Sequence, residues 1–422
     1  MSKERGIGGT GGLVALWIAV LAADRIDLVG GRASFVLTPF LVLTPVYLTV
    51  FAVWGAGLRR RVSLSGWGVG YGALLCVFLS IALVSTFLAT DPPSSARRSL
   101  HLVALALGGV LMAFVLTQRT DRYRVLVAGA KLGVALALVF NVAEVWAFFA
   151  GSPPPLAFGP VSIDLAATTY AGFVPRLSGQ VADPNRAGLV LLVYTFIIAR
   201  WGMPGRVKTG WVAVGVLLLS FTLSRSNLLA LAVTAVVALV ADRSVRVRPG
   251  TVLASLAGLA LTAGFLLASP PSRESAARWL APLESRFSID EGSSQDHLRL
   301  LERGAKEATS SVKRAATGVG YGNSYLLLQD VFPGNKYGNF HSMYVTLAAE
   351  AGAIALLVGL LLVGVPVVIP GPFRPLIAGI AVFNVFYQSL AEPVFWFVLA
   401  LAWMALTVPA TPTRDIAVTA DS

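Results

Sequence analysis

Asn339-Phe340-His341-Ser342-Met343-Tyr344 leads straight into Val345-Thr346-Leu347-Ala348-Ala349-Glu350-Ala351-Gly352 and an apolar run to Gly364. A long polar excursion that opens after Ser269 ends here, and the chain re-enters sequence of membrane length. Elsewhere apolar runs alternate with short connectors. A single large polar insert in such a chain is the expected seat of chemistry, because loops held by a rigid scaffold carry binding and catalytic groups. One of only three histidines stands at the point of re-entry.

Composition sets the class. Of 422 residues, 56% are hydrophobic and 13% charged, whereas a soluble domain carries about 25% charged residues. An integral membrane protein fits, with the lipid bilayer as its first partner. The net charge of +12 invites a nucleic-acid reading. Much of that excess lies in short connectors between apolar runs, as in cytoplasmic membrane loops, so no nucleic acid is expected. Cys76, the only cysteine, lies inside an apolar run and reads as a small packing residue, with no intrachain disulfide or thiolate cluster. Lys3 and Arg5 before an apolar stretch superficially resemble a signal peptide. No small-residue cleavage site precedes a soluble domain, so the stretch reads as the first spanning helix.

A spanning helix needs roughly twenty apolar residues. Candidates lie near 11–25, 34–56, 67–90, 99–117, 125–150, 187–201, 211–224, 226–242, 252–269, 342–369, 375–391 and 393–409. Lys3/Arg5, Arg59-Arg60-Arg61, Arg119/Arg122/Arg124, Arg200/Arg206/Lys208, Arg243/Arg246/Arg248, Arg374 and Arg414 then fall on one side. Short basic loops mark the cytoplasm, which puts both termini inside and 151–186 and 270–341 outside. The expected fold is an all-α polytopic membrane protein of about twelve transmembrane helices. Residues 1–269 hold nine of them, 270–341 form a large extracytoplasmic loop, 342–409 hold the last three, and 410–422 are a cytoplasmic tail.

Two exterior segments stand out. Residues 151–186 are too long for a tight turn and too rich in Pro and Gly for a continuous helix. In the large loop, Ser293 and Asp296 form a capping-box-like helix start. Leu298, Leu301, Ala305 and Ala308 follow at helical spacing, with Arg299, Arg303 and Lys306 on another face. This amphipathic helix is expected along the outer membrane surface, ended by flexible backbone at Gly318-Val319-Gly320-Tyr321-Gly322.

Arg225 lies between two apolar runs, flanked by Ser224, Ser226 and Asn227. A guanidinium there suits phosphate through paired, charge-assisted hydrogen bonds; the alternative is an arginine snorkelling to headgroups. Arg299 reads equally as an anion ligand or as part of a solvated helix face. His341 can exchange protons near neutral pH, or be structural. His101 and His297 read mainly as bystanders. Arg176, Asp183, Asn185 and Arg186 form a polar cluster, in which Asp183-Pro184-Asn185 can simply cap the next helix. Glu144, Glu350 and Glu392 are acids in or beside apolar stretches, and such acids are functional candidates or counter-ions for Arg225 or Arg299. No phosphate loop, H-x-x-x-H or Cys-rich metal set, or G-x-S-x-G elbow is present. Arginines and a histidine without an evident metal site suit an anionic, phosphorylated ligand.

At these residues the chain resembles the O-antigen ligase / O-antigen polymerase superfamily of bacterial inner-membrane glycosyltransferases. The likeness rests on Arg176-Leu177-Ser178-Gly179 with Asp183-Pro184-Asn185, on Ser224-Arg225, and on Arg299 with Gly318-Val319-Gly320-Tyr321-Gly322. His341 leading into Glu350-Ala351-Gly352 completes it. The resemblance implies a GT-C-type fold and transfer of a glycan from a polyprenyl-pyrophosphate carrier to a hydroxyl on a glycan or lipid acceptor, outside the membrane, without metal or other cofactor. It implies His341 as general base and Arg225 and Arg299 as ligands of the donor pyrophosphate, joined by Arg186. Arg176, Asp183, Asn185, Arg303 and Glu350 are expected to bind substrate or support the site. The family usually has Asn after the histidine, where this chain has Ser342. Two further readings are a twelve-span secondary transporter for an anionic solute and an inactive glycan-assembly subunit. A transporter would place its polar groups near the midplane, often in repeated halves; here they gather at the exterior boundary.

Overall fold

The computed structural model describes residues 9–29, 38–46, 65–151, 154–166, 168–170, 174–241, 292–334 and 338–407. The span expected at 252–269, most of 34–56, residues 270–291 of the large loop and the tail 410–422 lie outside them. The described chain is mainly helical. Its helices are α1 (Gly9–Ala19), α2 (Gly66–Ser85), α3 (Pro92–Thr117), α4 (Arg122–Phe149), α5 (Pro184–Trp201), α6 (Arg206–Phe221) and α7 (Arg225–Ala241). After these come α8 (Gly292–Ala308), α9 (Val312–Thr317), α10 (Met343–Val368), α11 (Arg374–Phe383) and α12 (Pro393–Thr407); 39–46 is helical too.

Four of these helical stretches, Gly66–Leu88, α3, α4 and α10, are long and apolar enough to cross a membrane, at 23, 26, 28 and 26 residues. At 1.5 Å per residue, even the shortest reaches about 34 Å, against a hydrocarbon core of about 30 Å. In the packing, α1 lies on α4, α5 on α4 and α6, α7 on α11, α12 on α3, and α10 on α2.

Several connectors pack against one another. Tyr123 stacks on Trp201 with centroids 4.9 Å apart, and Trp201 contacts Phe373 at 4.9 Å. Trp403 donates through Nε1 to the Gly68 carbonyl at 3.0 Å, and the Ser65 hydroxyl donates to the Leu406 carbonyl. Each of these contacts joins connectors that the basic residues assign to one side. The polar segments assigned to the other side meet one another, as described below.

The described residues of 151–183 contribute to small antiparallel sheets. Strands β2 (Leu156–Phe158) and β3 (Val161–Ile163) form a hairpin across Gly159-Pro160, and β1 (Ile26–Asp27) pairs with β3. Strands β4 (Thr168–Tyr170) and β5 (Val174–Arg176) pair separately.

Three expectations change. The span expected at 375–391 stops at Phe383, leaving α11 ten residues long. Buried Asn384, Ser389 and Glu392 follow it; Ser389 donates to Asn384 Oδ1 at 2.5 Å. The Asn384 and Tyr387 carbonyls both accept from the Met343 N–H at 3.0 Å. Such irregular backbone is tolerated at depth when protein surrounds it and satisfies its polar groups. Second, α8 buries Leu300, Gly304 and Ala308, while Leu298 is exposed. The contact line is set by Gly304, where a side chain would collide with Phe340 and Val345.

Third, the Gly318–Gly322 run is docked. Helix α10 breaks at Gly352 (φ 82°, ψ −177°). The freed Ala349 and Glu350 carbonyls accept from the Val319 N–H at 3.0 Å and the Gly320 N–H at 2.8 Å. The Ala316 carbonyl packs where a Gly352 side chain would stand. Backbone in that region costs a non-glycine residue about 1–3 kcal/mol. Gly352→Ala is therefore expected to destabilise the protein by at least about 2 kcal/mol, read by denaturation in detergent. Gly70→Ala, with no atom nearby to meet the new methyl, should lose nothing.

Candidate functional site

The site is built around the start of α5. Asp183 caps this helix, its Oδ1 accepting from the N–H groups of Asn185 at 2.8 Å and Arg186 at 2.9 Å. Pro184, with φ preset for a helix and no N–H to satisfy, begins it. Two side chains tie this start to the turn between α6 and α7. Arg176 donates from Nε to the Thr222 carbonyl at 3.1 Å and from Nη2 to Asn185 Oδ1 at 3.3 Å. Asn227 donates to the Asn185 carbonyl at 2.7 Å and to Ser224 Oγ at 2.9 Å. Arg225, half-buried, opens α7 in this turn. Arg186 donates from Nε to Glu392 Oε2 at 2.6 Å and pairs with Asp24 through Nη1. Its guanidinium is thus held by two carboxylates from distant parts of the chain.

His341 borders the same place. Its N–H donates to Asn339 Oδ1 at 2.8 Å, and its backbone is left-handed, with φ 52°. Its ring lies against that of His297, with centroids 4.6 Å apart and planes 24° from parallel. Burial pushes the imidazole below its ordinary value of 6.5, and the Asp183 carboxylate pulls weakly the other way. Ser342 caps α10 by accepting from the Val345 N–H at 3.5 Å. Asn and Ser are about equally good in that position, so Ser342 keeps the capping role open to an Asn there. Leu223, in the α6–α7 turn, has φ 50°. Leu223 and His341 are the non-glycine residues with left-handed backbone among the described residues. Such strain, costing about 1–3 kcal/mol each, clusters at functional sites.

The other expected residues lie farther out. Arg299 is 76% exposed and sits 3.8 Å from Asp296 of its own helix. It follows His297 by two positions, about 200° around the helix, so His297 faces His341 and Arg299 does not. Arg303 donates to Asp330 Oδ2 at 2.5 Å, which pins α8 to the loop after α9. Glu350 is a buried anchor: its carboxylate accepts from the Gly322 N–H at 2.8 Å and the Ser324 N–H at 3.1 Å. Among the described residues, no three potential metal ligands gather.

Glu144, expected as a counter-ion for Arg225 or Arg299, pairs with Arg25 at 2.6 Å, both side chains almost wholly buried. Glu144 also accepts from the Ser178 N–H at 2.9 Å and the Gly179 N–H at 2.8 Å. Arg25 donates further to the carbonyls of Asp164, Ala166 and Val181. Asp24, Arg25 and His297 are neighbours of the candidate site that residue patterns missed. The signal for the first two was a charge pair closing an apolar run, where ionisable groups are costly unless paired.

Compared with models of known protein families and with curated protein sequences, the chain matches none.

Removing one partner of a buried ion pair leaves the other charge stranded, at about 3–5 kcal/mol. Glu144→Ala should lose about that much stability in a detergent melt. The double variant Arg25→Met/Glu144→Leu should lose less than Glu144→Ala; an equal or greater loss would contradict the pairing.

Proposed function

We propose that the protein is a glycosyltransferase of the O-antigen ligase or polymerase type in the bacterial inner membrane. It would have about twelve spans in a GT-C-type arrangement, both termini in the cytoplasm and its active site outside. The carrying observation is that Arg176, the Arg225 turn and His341 all border the start of α5. Basic groups and one proton acceptor thus lie together where the charge pattern puts the exterior.

In the proposed reaction the donor is a glycan on a polyprenyl-pyrophosphate carrier, and the acceptor is a hydroxyl of a glycan or lipid. Neutral His341 takes the acceptor's proton as the acceptor oxygen bonds to the anomeric carbon. The bond from that carbon to the pyrophosphate breaks, and the leaving group departs with its electron pair. Arg225 and Arg176 offset the charge that develops there, the task a divalent cation performs in other enzymes. Attack opposite the leaving group inverts the anomeric carbon. Arg186, clamped between Asp24 and Glu392, supports the site through the framework. Arg299, on the exposed face of α8, meets the donor only at the outer rim.

His341→Ala should lower the turnover of a polyprenyl-pyrophosphate glycan by about 10²–10⁴-fold, the usual contribution of a positioned base. A fully active variant would remove His341 from the mechanism. Burial holds His341 below its ordinary value of 6.5, so the neutral, proton-accepting form predominates above that pH. The acid limb of turnover should therefore be centred below 6.5; one centred above 6.5 would contradict the assignment. Arg225→Lys keeps the charge but loses the planar fork. Donor affinity, measured by direct binding in nanodiscs, should fall about tenfold, as for loss of one charged hydrogen bond.

A further inference from the structure

We propose that His297 is a positioning residue for His341, setting the plane of its imidazole by ring-on-ring contact. The inference rests on His341 being the base. Three observations on the described residues carry it.

First, the contact is between two of the chain's three histidines, drawn from segments forty-four residues apart in sequence, 297 and 341. The rings are near parallel, at 4.6 Å and 24°. A stacked ring contacts the π-face and leaves both in-plane nitrogens of His341 clear of it. The neighbour can thus fix orientation without occupying the nitrogen that would take a proton. A hydrogen-bonding neighbour would use one of them.

Second, His297 is itself held. Leu300, Gly304 and Ala308 bury the adjoining face of α8, with Gly304 close against Phe340 and Val345. Phe340 and Val345 flank His341 in sequence, so one packed surface fixes both ring-bearing backbones. Arg303 adds its bond to Asp330.

Third, His341 needs an external constraint. Its left-handed backbone and its N–H bond to Asn339 place the Cα, but the ring still turns about two side-chain bonds. Asp183, from the start of α5, acts on it electrostatically. Docking of α8 against Phe340 and Val345 would then complete the site. Positioning of this kind acts on the chemical step, because small misplacement of a catalytic group costs rate steeply.

The test uses the full-length protein in nanodiscs, with His297→Ala and His297→Phe. Two readouts are taken: the His341 side-chain resonances in histidine-labelled protein, assigned by their loss in His341→Gln, and the kcat and KM for glycan transfer. His297→Ala should shift or broaden the His341 ring signals and cut kcat about tenfold or more, with KM changed less than about threefold. His297→Phe, which keeps a flat ring and loses the nitrogens, should recover most of both. Unchanged His341 signals in His297→Ala overturn the proposal. So does a phenylalanine variant as impaired as the alanine one, since ring contact alone would then not suffice. If the unaltered protein transfers no glycan, the transferase reading fails, while the ring signals still decide whether His297 orients His341.

Discussion

Arg25 and Glu144 form the contact on which this end of the helix bundle depends. Each charge would be costly in so buried a place alone, and the pair is tolerable only because its remaining hydrogen-bonding capacity is used. Glu144 receives the Ser178 and Gly179 N–H groups, and Arg25 reaches three carbonyls of the 164–181 segment. The pair therefore links the end of α1, the end of α4 and the loop that delivers the start of α5. Without it, the segment carrying Arg176 and Asp183 would lose the bonds of Ser178 and Gly179 to α4. From that start the restraints continue through Asn185 to Asn227 and through Arg186 to Glu392.

A second set of restraints shapes the large loop. Glu350 and the broken turn at Gly352 convert part of a spanning helix into a receiver for loop backbone. Gly318 and Gly320 supply positive-φ backbone close to Glu350 and Ala89, where side chains would not fit. On the other face of the loop, α8 lies along Phe340 and Val345 and brings His297 to His341. Loop and bundle are thus joined through main-chain bonds on one side and packed small residues on the other. His341 sits at this joint, with its ring against that of His297.

Much of this was legible in the residues, for physical reasons. Long apolar runs specify helices near their observed bounds, as at α4 and α10, because membrane length leaves few alternatives; α3 begins at Pro92, seven residues before the expected start, because its first two turns are polar. The cap at Asp183 and Pro184 was readable from local chemistry, and so was the exclusion of a single helix from 151–186. Other features depend on partners remote in sequence. Nothing around Glu144 names Arg25 as its counter-ion. The early end of α11 follows from protein packed around Asn384–Glu392, which hydropathy does not register. The face of α8 was misjudged by counting apolar side chains, because a glycine made the closest contact. Arg299 and His297 are two residues apart, and only the helix phase decides which one meets His341.

The proposed donor site lies at the end of the bundle where the α5 start, the α6–α7 turn and His341 meet. The most direct measurement is covalent mapping with a photoreactive polyprenyl-pyrophosphate, cross-linked in native membranes and located by peptide mass spectrometry. Adducts in 176–186, 222–228 and 339–344 are the predicted result. Adducts confined to the basic connectors at 119–124 and 200–208, on the opposite side, would contradict the account.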